Sequence, residues 1–119
     1  MINPRKQISD ALLTIIDNVK MTRPEGDVVF PLITYGEVTN VSVNKREDRI
    51  EYQIDGYTNT FEECLALSQQ IDEVMTSLGW HRTYITPDPQ TRRGKDFYQK
   101  SMNYVARVDT LFKNITGGY

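Results

Sequence analysis

The chain has 119 residues, with one histidine, His81, and one cysteine, Cys64. Catalysis built on either needs a partner: a base beside the thiol, or a carboxylate or nucleophile beside the imidazole. The sequence offers none at meaningful spacing. His81 follows Gly79-Trp80, where a helix hands over to a strand, which is the position of a structural or surface side chain. Cys64 falls on the apolar stripe of a predicted helix and reads as a small buried hydrophobe with no activating neighbour. One cysteine also rules out a disulfide framework and a cysteine cluster for zinc. Glu62, Glu63, Asp72 and Glu73 share that helix. The first two suit its N-terminus and the others its solvated side, and no spacing resembles a calcium loop. The residues imply no catalytic, metal or cofactor site, and the expectation is a protein that is not an enzyme.

The residue types that remain suit contact rather than catalysis. Arg92-Arg93-Gly94-Lys95 is the one concentrated basic feature, able to meet phosphate or an acidic protein surface. Gly36, Gly56 and Gly94 do not assemble a phosphate cradle. There are seven tyrosines, and Tyr35, Tyr52, Tyr57, Tyr84, Tyr98 and Tyr104 fall in predicted strands. Those on a second face of the sheet suit half-wet interfaces. Val28-Val29-Phe30-Pro31 is an apolar end to an otherwise polar loop, placed to cover the sheet or a neighbour. The candidate interface residues are therefore Arg92, Arg93, Lys95, Val28, Phe30, Tyr57 and Tyr98.

The totals fit one domain with one modest core. The formal net charge is −2 and the sequence pI is about 5.4, which weighs against a dedicated nucleic-acid binder. Mean hydropathy is −0.51 with no long apolar run, so no membrane helix is expected. The N-terminal stretch lacks the continuous apolar core of a signal peptide.

These residues need elements to position them. Asn3 and Pro4 suit the start of a helix, and Ile8, Ala11, Leu12, Ile15, Ile16 and Val19 trace one stripe. Residues 21–30 read as a loop. Leu32 to Val43 is rich in β-formers, Asn44 to Asp48 is a charged turn, and Arg49 to Tyr57 alternates with Ile50, Tyr52 and Ile54 on one side. Thr60 and Glu63 form a capping box for a second helix. Its stripe is Phe61, Cys64, Leu65, Ile71, Met75 and Leu78, interrupted by Ser68 and stopped by Gly79. Trp80 to Thr86 reads as a third strand, and residues 87–96 as a loop. Phe97 to Phe112 reads as a long strand, expected to bend or bulge because of its length. Residues 113–119 read as a loose tail. The expected fold is α+β in the order α-β-β-α-β-β, an antiparallel sheet with two helices on one face.

That order of features resembles the tail-terminator and tail-completion (tail-to-head joining) proteins of long-tailed bacteriophages. Four segments carry the resemblance. An amphipathic helix precedes the proline-led strand Phe30-Pro31-Leu32-Ile33-Thr34-Tyr35. The strand Glu51-Tyr52-Gln53-Ile54-Asp55-Gly56-Tyr57 runs into a helix. That helix ends in Met75-Thr76-Ser77-Leu78-Gly79-Trp80-His81-Arg82, similar to the family's "M..LG..R" ending. Tyr98 to Asp109 looks like the closing strand. The resemblance spans most of the chain, and residues 87–96 carry no family mark. It implies a virion structural protein, assembled in the host cytoplasm, that forms a ring, commonly a hexamer, on the finished tail tube. The implied partners are further copies of itself, the tail-tube protein and the head connector, with DNA only passing through the lumen. The alternative is a small nucleic-acid-binding module that uses the Arg92–Lys95 loop with nearby tyrosines.

Overall fold

The computed structural model describes residues 4–21, 29–44, 47–86, 89–91, 97–109 and 115–118. Helix α1 spans Pro4–Leu13, and its buried residues are Ile8 and Leu12, one turn apart. It stops earlier than the apolar stripe suggests. The amides of Thr14 and Ile15 close tight bonds to Ala11 and Leu12 carbonyls (3.1 and 3.0 Å), and the chain leaves the helix. Ile15, Ile16 and Val19 still pack on the core, but from a turn and a short strand. That strand, β1 (Val19–Lys20), pairs parallel with β2 (Leu32–Ser42) through Val19↔Ile33 and Lys20↔Thr34.

Strand β3 (Glu47–Thr58) returns antiparallel to β2. Asn44 makes the turn: its side-chain carbonyl accepts from the Glu47 amide at 3.0 Å, and the Val43 amide donates to the Glu47 carbonyl at 2.9 Å. Helix α2 (Phe61–Ser77) starts as expected, with the Thr60 hydroxyl accepting from the Glu63 amide at 3.2 Å. It also stops as expected. Gly79 has φ 95°, the Trp80 amide bonds the Met75 carbonyl at 3.1 Å, and the Gly79 amide bonds Thr76 at 3.0 Å. This double bond is a Schellman ending, whose left-handed residue favours glycine.

Strands β4 (His81–Ile85), β5 (Gln90–Thr91), β6 (Tyr98–Asp109) and β7 (Ile115–Gly118) complete the sheet. Its main order is β1-β2-β3-β6-β4, with β5 and β7 also on β6. All pairings except β1·β2 are antiparallel. The α+β class, the two helices and the four long or medium strands agree with the sequence reading, and three short strands are added to it. Two expectations are corrected. First, the long strand carries no bulge against β3: β6 and β3 pair without a register shift from Glu47↔Asp109 to Thr58↔Tyr98. The irregularities fall on its short partners, at Thr83 in β4 and Thr116 in β7, because three separate pieces share the far side of β6. Second, residues 115–118 are not a loose tail; they pair with Ala106–Val108 of β6.

The core lies between the helices and one face of the sheet. Ile8 and Leu12 of α1 and Leu67, Ile71 and Met75 of α2 cluster with Tyr35, Ile50, Tyr52, Ile54, Met102 and Tyr104. Those strand residues share one side by the period of two and by register, Tyr35↔Ile54↔Met102 and Tyr52↔Tyr104. The α2 stripe runs through Cys64, Leu67, Ser68, Ile71 and Met75. Ser68 sits inside it because its hydroxyl donates to the Cys64 carbonyl at 2.7 Å, so it is buried with its polar atom satisfied. Phe61, expected on the stripe, is 39% exposed.

Candidate interface: the second face and open edges of the sheet

The residues that could have carried catalysis are kept apart. Cys64 is fully buried under α2 with its thiol 3.7 Å from the Gly56 carbonyl, and burial pushes that thiol's pKa up. His81 is exposed on β4, opposite Val105 and therefore on the other face of the sheet from Cys64. Among the described residues no group of three His, Cys, Asp or Glu side chains is placed to hold a metal ion.

Three carboxylates of the sheet and α2, Asp72, Glu51 and Asp55, are likewise engaged. Tyr104 Oη donates to Asp72 Oδ1 at 2.8 Å, and Arg82 Nη1 meets the same oxygen at 3.3 Å. Burial first, and the Asp72 carboxylate second, hold the Tyr104 phenol far above its usual range, so it stays a donor. This trio ties α2 to β6 and β4. On the second face, Asn103 Nδ2 donates to Glu51 Oε2 at 2.9 Å, and Gln53 Nε2 donates to both Asp55 oxygens at 3.1 and 3.2 Å. Glu51 and Asp55 stand four residues apart on one strand, about 13 Å, too far for a shared acid–base reaction.

The predicted interface residues divide. Arg92, Arg93, Lys95 and Val28 lie outside the described residues. Phe30 and Tyr57 come together through Phe97, which sits 5.2 Å from the Phe30 ring and 5.9 Å from that of Tyr57. With buried Leu32, which pairs Tyr57, they form a small apolar cluster on the second face. Tyr98 is on the opposite, helix-bearing face, 6.0 Å edge-to-face from Phe61. The seven candidates therefore do not form one patch. Phe97 escaped the sequence reading, although its even spacing from Gln99, Ser101 and Asn103, two, four and six residues on, marks its side of the strand.

Two edges of the sheet are open among the described residues. Strand β2 has β1 beside it only at Ile33 and Thr34, and from Tyr35 to Ser42 it pairs only with β3. Val38 and Val41 on this stretch, and Val43 just beyond it, are 48%, 53% and 43% exposed. Beside the edge, a groove of about 270 Å³ runs over Met21, Thr34, Gly36, Val38, Gln53 and Asp55. At the other side, β4 pairs only with β6, and Tyr84 is 54% exposed. Long strands with bare edges and apolar side chains are uncommon in proteins that stay apart from partners.

No known protein-family profile matches the chain, and no curated protein matches it in sequence. Among solved structures, a chain in the "Virion of native gene transfer agent (GTA) particle" superposes with a TM-score of 0.66 at 13% identity. The match covers 88% of this chain and 90% of that one, so the likeness is of the whole fold.

Proposed function

We propose that the protein is a structural component of a phage or prophage virion, acting at the head–tail junction as a ring that caps the tail tube and joins it to the head connector. The observation that carries this reading is the whole-length likeness of fold to a chain of a virion particle. The order of helix, proline-led strand and Leu78-Gly79 helix ending, which resembles tail-terminator proteins, supports the finer role. The open edges of β2 and β4 supply what a ring needs, a head-to-tail contact between two different surfaces. The work is assembly: the protein offers surfaces and holds them rigid.

Deletion of its gene from the parent phage or prophage tests this. The expected result is unjoined heads with tail tubes of irregular length. Normal particles with tails of uniform length contradict it.

A further inference from the structure

We infer that the ring contact is a strand pairing, in which the β4 edge of one copy adds antiparallel to the open β2 edge of the next. The inference rests on the ring reading above and names its interface.

Strand direction comes first. β2, β3, β6 and β4 alternate in direction, each antiparallel to its neighbour. The two edges therefore run opposite ways. Copies related by rotation about an axis along the strands present β4 against β2 in antiparallel sense, continuing the alternation with no break. Each copy donates one edge and accepts at the other, so the contact is heterologous.

Side chains on the two edges match face by face. Glu37 pairs Tyr52 and so stands on the helix-bearing face; Arg82 pairs Tyr104 and stands on the same face. Glu37 is the only charged residue of β2 and is exposed. Arg82 remains 41% exposed while touching Asp72, and a guanidinium has further donors to offer. On the second face, Tyr84 (opposite Asn103) and Val41 (opposite Arg49) are the most exposed apolar residues of their strands. Aromatic and β-branched residues are favourable cross-strand partners.

One register serves both faces. Both edges carry a shift, at Val38 in β2 and at Thr83 in β4. Setting Arg82 of one copy opposite Asn40 of the next then places Tyr84 opposite Thr39 and Ile85 opposite Glu37. Arg82 reaches Glu37 diagonally on one face, and Tyr84 reaches Val41 diagonally on the other.

Mixing a Thr39→Cys chain with a Tyr84→Cys chain under mild oxidation tests this. Both sites are exposed, and Trp80 fluorescence checks that each variant folds. The expected product is a disulfide dimer that requires both variants. Glu37→Lys should weaken self-association about tenfold by setting like charge against Arg82. No mixed dimer, or an equal yield from Thr39→Cys alone, overturns the pairing, the latter indicating two β2 edges face to face. Rings seen by electron microscopy without the mixed dimer overturn this interface and leave the ring reading intact. A mixed dimer from a chain that does not bind tail tubes supports the interface and counts against the terminator role.

Discussion

Tyr104 on β6 donates its phenolic hydrogen to Asp72 on α2 at 2.8 Å, and the bond is the polar anchor between the second helix and the centre of the sheet. Tyr104 is fully buried, and Arg82 on β4 meets the same Asp72 oxygen at 3.3 Å. Three elements, α2, β4 and β6, thus converge on one oxygen.

Removing that anchor has an asymmetric cost. Tyr104→Phe leaves Asp72 with Arg82 and should cost about 1–2 kcal/mol. Asp72→Ala strands a buried hydroxyl whose other contact is Met102 Sδ at 3.5 Å, and should cost about 2–3 kcal/mol. Urea unfolding followed by the emission of Trp80, the single tryptophan, measures both.

The same phenol predicts a pH dependence. Its folded pKa is raised above the unfolded value of 10.0, by burial first and then by Asp72. Above that pH the unfolded chain releases a proton that the folded chain keeps, so stability is complete below about pH 10 and falls as pH rises. Tyr52, also raised mainly by burial, adds to the fall. Denaturation midpoints should drop between about pH 9 and 11, and Tyr104→Phe should remove part of that drop. A midpoint independent of pH over this range contradicts the burial of both phenols.

Helix α2 rests unusually close to β3 at Gly56. A Cβ there would sit 3.1 Å from Leu67 Cδ2 and 3.5 Å from Ile71 Cδ1. Both neighbours are buried in the packed core, so Gly56→Ala should cost about 1 kcal/mol after the gain from stiffening the unfolded chain. Gly56→Val should cost more. Thermal unfolding of the two variants would reveal the order, and a stabilised Val variant would show that the helix can lift.

The ends of α2 give a paired test. Thr60→Ala removes the hydroxyl that caps the Glu63 amide and should cost about 1 kcal/mol. Gly79→Ala forces a side chain into φ 95° and should cost about 1–2 kcal/mol. The two sites lie at opposite ends of the helix, so the double variant should lose the sum within about 0.5 kcal/mol.

The features legible in the sequence were those with local causes. Thr60 and Gly79 mark α2 because caps and left-handed stops are written in a few adjacent residues. Ile50, Tyr52 and Ile54 mark β3 because one face of the sheet is buried. What the sequence hid depends on distant partners. Val19–Lys20 becomes a strand only because Ile33 and Thr34 lie beside it, and Ile115–Gly118 only because β6 has bare edge left to pair. The end of α1 was obscured because Ile15 and Ile16 keep the helical spacing while packing from a turn. Of the candidate interface residues, Phe30 and Tyr57 are each legible in the sequence, but their meeting through Phe97 is a product of the β3·β6 register. The open edges could be foreseen only as a class, since which strand lies outermost is set by topology.

The central claim is that this chain ends a tail tube. Purified protein added to tail-tube protein from the same genome during polymerisation, with tube lengths and ends recorded by electron microscopy, tests it most directly. The account predicts shortened tubes, each bearing a ring of added density at one end. Tubes of unchanged length with bare ends would contradict it.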